Sequence, residues 1–335
     1  MHIAILIVTY NSADDVPGCF AALAALNEKP AEVVVVDCAS SDESLRVARA
    51  APLSDGIVRR VVPLDENRGF AGGMNEALRH TNAPWVLTLN ADAHPRPDFL
   101  DQLRQRIDTS ATLNSDLRVG AITPRLLRPE TSDGTRHLDA CGMVLRKAWR
   151  HLDRASDEVD VGQHNEAALV FGGTGAATLW NRVALEDVAF ADGAAFDPLF
   201  HSFREDAELC FRLQERGWAV VYEPAAVAEH RRSVLPKRRR QLPPFVNYQG
   251  LKNRYLLRAY HQTGRNFLRT FFPTLVRDLG ALIYVLFLER TSLPAYAWLW
   301  RHRREIVQRR RYIQRRRTVS AQDVEQWFEV EEKTF

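Results

Sequence analysis

An α/β fold with a doubly wound, mainly parallel sheet is predicted, followed by a basic helical carboxyl-terminal region. Three observations predict it. Short, continuous apolar runs of buried-strand type recur through the first 90 residues, with helical stretches between them. The runs end on polar or acidic residues, as strands do at the ligand edge of an open α/β sheet. Finally, the charge balance inverts near residue 230.

The elements follow in order. Residues 3–8 form the first apolar run, and 13–26 a helical stretch. Residues 33–36 give the second strand, closing on Asp37. Ser40, Ser41, Asp42 and Glu43 have the S-x-x-E form of a capping box, which predicts a helix from there through Ala51. Residues 57–62 read as a third strand, 69–81 as a glycine-started helix and 86–89 as a fourth strand. Strand and helix alternating at this spacing predict βαβ units. Between 110 and 170 the chain turns to short strands and polar, Asp-rich connections, with 136–146 as a strand or hairpin. Gly172, Gly173 and Gly175 imply unusual backbone angles or a close approach. Residues 205–216 have helical spacing, with Leu209 and Leu213 on one face and Gly217 as the stop. A strand at 219–222, a turn at Pro224 and a segment at 225–230 complete this part. We divide the chain into a catalytic domain at 1–235, with halves 1–130 and 131–235, and a helical region at 236–335.

A chain of 335 residues has ample core for a stable fold. Cys19, Cys38, Cys141 and Cys210 lie far apart, so neither disulfides nor zinc are indicated and a cytoplasmic location is expected. Residues 3–8 lack the basic leader and cleavage site of a secretory signal. The net charge of +3 hides a segregation. Residues 1–230 carry 22 Lys/Arg against 34 Asp/Glu, whereas residues 231–317 carry 22 against 3. A region so basic faces something anionic. Its arginines alternate with Leu, Phe, Tyr and Trp, among them Tyr284, Tyr296, Trp298 and Trp300, which suits an anionic membrane surface. Nucleic acid is disfavoured because no reader fold is recognised. Residues 279–288 are the most apolar stretch, at about half the length of a membrane span. Peripheral attachment is therefore expected, with a buried bundle helix or a solvated basic face as the alternatives.

Residues 85–92 run from an apolar strand straight into Asn90-Ala91-Asp92. Side chains two apart on an extended segment share a side, so Asn90 and Asp92 are expected to converge on one cation. A second acidic pair, Glu205-Asp206, starts a helix. A metal-holding carboxylate and a separate basic carboxylate are what a metal-assisted group transfer needs. Five pieces stand in order: Thr9-Tyr10-Asn11; Asp37 through Asp42; Asn67-Arg68-Gly69 through Gly72, Gly73 and Asn75; Asn90-Ala91-Asp92; and Glu205-Asp206, with Tyr222-Glu223-Pro224 and His230 after it.

In this order, over about residues 1–235, the chain resembles the family 2 glycosyltransferases of GT-A type fold, in particular a bacterial rhamnosyltransferase-like group. The resemblance implies an inverting transferase acting in cell-surface polysaccharide biosynthesis. Rhamnose would move from dTDP-rhamnose to a hydroxyl of a glycan or lipid-linked acceptor, with a UDP-sugar as the alternative donor. It implies a nucleotide site at Thr9, Tyr10, Asn11 and Asp37, whose carboxylate can accept the imide N–H of uracil or thymine. Arg68, Gly69, Gly72 and Asn75 would face the diphosphate or sugar, with Asn90 beside them, and the glycine segment around Gly173 would line the cleft. Asp92 and His230 would hold a divalent cation, Mg²⁺ or Mn²⁺. Arg231 and Arg232 reach either the diphosphate or solvent. Asp206 would be the general base, kept ionised by the helix dipole, with Glu205 positioning the acceptor or the glycine loop. Asn90 stands where the family has the first aspartate of D-x-D. That departure keeps a second class open, a nucleotide-sugar-binding module without catalysis. The expected location is the inner face of the cytoplasmic membrane.

Overall fold

The computed structural model describes residues 2–113, 117–232 and 242–334. The chain opens with β1 (Ile3–Thr9), α1 (Val16–Ala24), β2 (Glu32–Asp37), α2 (Ser44–Ala50), β3 (Val58–Pro63), α3 (Gly69–Arg79) and β4 (Trp85–Leu89). β1, β2 and β4 are covered on both faces, which is why they read as unbroken apolar runs. Next come β5 (Ala93–Pro95), α4 (Phe99–Leu113), β6 (Val119–Leu127), β7 (Leu138–Ala140), β8 (Met143–Arg146), β9 (Arg150–Asp153), β10 (Ala168–Val170) and β11 (Ala177–Asn181). α5 (Arg182–Val188), α6 (Glu205–Glu215) and β12 (Ala219–His230) follow. The remainder is helical: α7 (Pro244–His261), α8 (Gly264–Phe287), α9 (Pro294–Arg301), α10 (Arg303–Arg316) and α11 (Ala321–Glu325).

Ten strands form one sheet in the order β10-β12-β6-β11-β4-β1-β2-β3, with β5 on β12 and β7 on β6. The quartet β3-β2-β1-β4 is parallel. β11 then enters antiparallel between β4 and β6, so the sheet as a whole is mixed. The parallel register pairs Thr9 with Asp37, bringing both to one carboxyl edge. Alternate residues of β1 feed two cores: Ala4 and Leu6 face one, Ile3, Ile5 and Ile7 the other. The first core also holds Leu256, Tyr260, Ile306, Trp327 and Phe328, so the helical region is packed into the catalytic body. All four cysteines are buried and free.

Several local expectations are corrected. The capping box does not form, because Asp37 takes the Ser40 hydroxyl at 2.6 Å. Asp42 instead accepts the Ser44 N–H at 2.9 Å, and the helix begins there. Residues 136–146 hold two strands with different partners: β7 pairs with β6, and β8 with β9. β12 runs through Pro224 without a break in the strand. A register shift between Glu223 and Val227 removes the ladder bond that proline cannot make.

The apolar stretch at 279–288 is the end of something longer. α8 has 24 residues and is long and apolar enough, by length and composition alone, to cross a membrane. Its polarity is inverted. Asn266, Thr270 and Thr274 are buried against the protein, while Leu268 and Phe272 are 77% and 76% exposed, and Val276, Ile283 and Phe287 also face outward. This is not a buried bundle helix.

Candidate active site

The candidate nucleotide edge is built from strand ends. Asp37 is buried and accepts from the Thr9 hydroxyl at 2.9 Å, from the Ser40 N–H at 3.0 Å and from the Ser40 hydroxyl. Both hydroxyls fall on Oδ1, and Oδ2 accepts only the Ser40 N–H, which leaves it a lone pair for an incoming imide N–H. Tyr10 is exposed beside it. Asn11 takes a left-handed backbone (φ 52°) and bonds back across the edge: its N–H donates to Ser40 Oγ, and its side-chain oxygen accepts from Ser41 N–H at 2.9 Å.

The glycine segment behaves differently from expectation. Gly69 needs its positive φ of 67°, and a Cβ there would meet His201 at 2.4 Å. A Cβ on Gly73 would meet Val8 at 2.8 Å, so this glycine lets α3 lie close on β1. A Cβ on Gly72 would meet the Arg68 side chain at 2.5 Å. These close approaches are to protein rather than to open cleft. Arg68 pairs with Glu66 at the surface. Asn75 is buried and spent on the scaffold: its amide nitrogen donates to Phe196 O at 2.6 Å and its oxygen accepts Phe196 N–H at 3.0 Å. It does not face a ligand. Gly173 is likewise packed, with Thr178 Oγ1 2.5 Å from where its Cβ would be.

Asn90, Ala91 and Asp92 form a turn after β4 rather than an extended segment, so the alternation argument for Asn90 and Asp92 fails there. Asp92 is positioned by β5 instead, which pairs antiparallel with β12 and sets Ala93 against His230. His230 Nε2 lies 3.3 Å from Asp92, and His230 Nδ1 lies 2.7 Å from Asp139. Burial opposes charge on this imidazole, but the hydrogen bonds to Asp139 and Asp92 outweigh it and push the pKa up to about 9. Burial alone would raise Asp92, yet the same histidine holds it below the ordinary value. Asp139 also accepts from Arg232 at 3.0 Å, and Arg232 pairs onward with Asp153. Arg231 pairs with Asp15 at 3.3 Å.

Asp92 and His230 fit a divalent cation that takes the place of the Nε2 proton His230 otherwise shares with Asp92. They offer a hard oxygen and an imidazole nitrogen side by side, and Asp139 orients the ring from its other nitrogen, as carboxylates do behind metal-bound histidines. Among the described residues no group of three or more His, Cys, Asp or Glu side chains forms a complete cage.

At the start of α6, Glu205 is buried and Asp206 half-buried. Asp206 accepts from Gly175 N–H at 2.9 Å and Ala207 N–H at 2.7 Å. Burial raises the Asp206 pKa above the ordinary value, with the two N–H bonds as the partial offset. Glu205 is pushed well above its ordinary value, by burial and then by the charge of Asp206, and one of its oxygens is buried without a partner. The pair thus divides into a carboxylate held by N–H donors and a carboxyl that favours its proton.

The backbone leading into this pair is strained. His201, Phe203 and Arg204 all have positive φ, at 61°, 70° and 74°. Asn253 of α7 holds the segment: its side-chain nitrogen lies 2.7–2.8 Å from the carbonyls of Phe200, Ser202 and Phe203. Lys252 donates to Leu199 O at 2.7 Å, and burial lowers its pKa to about 8.

Sequence reasoning missed Asp139, Asp153, Asn253 and Asp15, whose pKa is raised by burial and by nearby Asp92. These meet their partners only through strand pairing and helix docking, whereas Gly175 is legible as one of the clustered glycines.

Residues 4–156 match the model of glycosyl transferase family 2. The chain is 32% identical over 108 residues to the succinoglycan biosynthesis protein ExoO of Rhizobium meliloti, covering 32% of this chain and 30% of that protein. It is 41% identical over 102 residues to ExoU of the same organism, covering 30% of this chain and 29% of that protein. A poly-beta-1,6-N-acetyl-D-glucosamine synthase of Staphylococcus aureus is 22% identical over 67% of this chain and 48% of its own length. The chain thus spans less than half of these curated relatives. Among solved structures, S. aureus TarS 1–349 in complex with UDP-GlcNAc superposes over 98% of this chain and 91% of its own, with a TM-score of 0.55 and 13% identity. Residues 4–156, which hold Asp37 and Asp92, thus match glycosyl transferase family 2, and the mixed sheet with its covering helices has the GT-A fold.

Proposed function

We propose that this protein is an inverting glycosyltransferase that moves a sugar from a nucleoside diphosphate to an acceptor hydroxyl in polysaccharide biosynthesis. The observation that carries the reading is a pair of separate carboxylate centres: Asp92 set against His230, and Asp206 held at the start of α6 by the N–H groups of Gly175 and Ala207.

Asp206 takes the proton from the acceptor hydroxyl as that oxygen attacks the anomeric carbon. The sugar–phosphate bond breaks on the opposite face, and the configuration inverts. The two N–H bonds from Gly175 and Ala207 aim the carboxylate and hold its charge. Glu205, protonated beside it, donates a hydrogen bond to the acceptor rather than competing for the proton. Asp92 and His230 would hold Mg²⁺ or Mn²⁺, which supplies charge neutralisation for the departing diphosphate. Asp37 accepts the imide N–H that thymine and uracil share. The proposed donor is dTDP-rhamnose, with a UDP-sugar as the second choice.

The acceptor is a glycan or a lipid-linked glycan, and the enzyme works on the inner face of the cytoplasmic membrane. What supports this is the outward apolar face of α8, set in a strongly basic region. α8 is read as lying on the bilayer rather than crossing it. Its other face is engaged with the protein, where Trp149 Nε1 donates to Thr270 Oγ1 at 3.2 Å.

The test is thermal stabilisation by dTDP- and UDP-sugars with and without Mn²⁺, followed by transfer assays with the donor that binds. Cation-dependent stabilisation by one of them is expected. No shift with any would sink the reading.

A further inference from the structure

One of the two N–H groups that hold Asp206 belongs to Gly175, and it reaches Asp206 Oδ2 at 2.9 Å. The segment that delivers it has glycine at 172, 173 and 175, so no side chain of its own pins the backbone there. Groups outside the glycines must hold it in register.

The carbonyls leading up to Gly175 are all engaged. Gln214, in the last turn of α6, donates from Nε2 to Phe171 O at 2.9 Å and to Val170 O at 3.3 Å. Gly172 O accepts the Met143 N–H of β8 at 2.8 Å, and the Cys210 thiol lies 3.7 Å from Gly173 O. α6 thus meets the segment at both ends, with Asp206 on Gly175 and Gln214 on Val170 and Phe171. Asp206 and Gln214 stand about 12 Å apart along the helix, so Gln214 reaches the carboxylate only through this segment.

A glutamine amide can sit either way round, exchanging donor for acceptor. Trp327 makes the choice here, because an indole nitrogen can only donate. Its Nε1 lies 3.0 Å from Gln214 Oε1, which turns the amide nitrogen towards the two carbonyls. Trp327 is buried, and its ring meets that of Phe171 edge-on at 6.5 Å between centroids. The chain beyond it fastens to the neighbouring residue of the segment. Leu169 N–H donates to Lys333 O at 2.8 Å, and Lys333 N–H to Leu169 O at 2.9 Å. Glu332 pairs with the buried Arg154, which also donates to Cys141 O at 3.0 Å. The carboxyl-terminal segment therefore grips residues 169–171, directly ahead of the glycines.

We infer that Gln214, oriented by Trp327, is a positioning residue for the base: it fixes the glycine segment so that the Gly175 N–H stays aimed at Asp206. The inference rests on the glycosyltransferase reading for the role of Asp206, and not for the grip on the backbone. Without that grip Asp206 loses a donor that favours its charged form, so its pKa rises. A base is active only when deprotonated, so the acid limb of the rate profile moves to higher pH. The titratable groups that share a field with Asp206 are Glu205, Cys210 and Asp153, and no substitution at 214 or 327 alters them.

The test compares the full-length wild type with Gln214→Met and Trp327→Phe. Methionine keeps the length of glutamine but carries no donor and adds no titrating group. Each preparation gives two readouts: the pH profile of transfer, and hydrogen exchange at the Gly175 amide. Gln214→Met is expected to lower kcat about tenfold and to raise the acid limb of kcat/KM by about one pH unit. Exchange at Gly175 should quicken by about tenfold or more, with nucleotide-sugar stabilisation unchanged. Trp327→Phe keeps a ring against Phe171 and should move both readouts the same way by less. A fall in kcat with an unmoved acid limb would overturn the inference, since a general loss of stability lowers the active fraction without touching the base. Wild-type exchange at Gly175 in both variants would overturn it as well. Should Gln214→Met fail to fold, Trp327→Phe decides on the same two readouts. Absence of transfer by the wild type would remove the glycosyltransferase reading instead, and exchange at Gly175 would then decide the grip alone.

Discussion

The two edges of the site are assembled in opposite ways. On the nucleotide side, Asp37 ends a parallel strand, and its partners Thr9 and Ser40 come from the paired strand end and from three residues along. On the acceptor side, Asp206 follows a left-handed stretch whose carbonyls are gripped by Asn253, 50 residues beyond Phe203. A strand-end site is prepared by its own sheet. A helix-start site approached through positive φ needs an outside clamp, and here the helical region provides it. That region is thus part of the edge that carries Asp206.

Breaking the clamp should have the largest effect. Asn253→Ala removes two amide N–H donors shared among three carbonyls, worth about 1 kcal/mol each, so kcat should fall by roughly 30-fold. The donor KM should move little, because the nucleotide edge does not depend on α7. A matching rise in donor KM would erase the contrast between the edges. Next comes Asp139→Asn, which leaves His230 without the carboxylate behind Nδ1. The apparent Mn²⁺ affinity should fall by about 10- to 100-fold, read as the cation dependence of donor stabilisation. On the nucleotide side, Thr9→Val deletes one hydroxyl donor to Asp37, worth about 1 kcal/mol, and should weaken nucleotide binding by roughly fivefold with kcat nearly unchanged.

The pH profile sharpens the same comparison. A general base works only when deprotonated, so the rate is lost as pH falls through its pKa. Burial raises Asp206, so the acid limb of kcat/KM should lie above the ordinary aspartate value of about 4. A limb at or below that value would mean that another group takes the proton.

How much of this was legible depended on sequence distance. The strands of the parallel quartet were readable because full burial writes itself as a continuous apolar run. The positions of Asp37, Asp92 and Asp206 followed from where those runs and one helix end. Asp92 was identified for a partly mistaken reason: β5 turns it towards His230, and no extended alternation with Asn90 exists. Asp139 and Asn253 were invisible because each acts on a partner 50 or more residues away, across a strand pairing or a helix docking that no local pattern records. Asn75 and the glycines at 72 and 173 looked like ligand residues because tight internal packing and close ligand approach demand the same residue types. The inverted polarity of α8 was hidden for another reason. Only 279–288 is apolar without a break, while the outward face starts near Phe267 and is interrupted in sequence by Thr270 and Thr274 on the packed side.

The central claim is that Asp206 removes the acceptor proton while the donor edge binds independently of it. The most direct measurement is transfer by Asp206→Asn, with nucleotide-sugar stabilisation recorded on the same preparation. The account predicts that stabilisation persists and that transfer falls by about 10²- to 10⁴-fold. Transfer within a few-fold of wild type would contradict it.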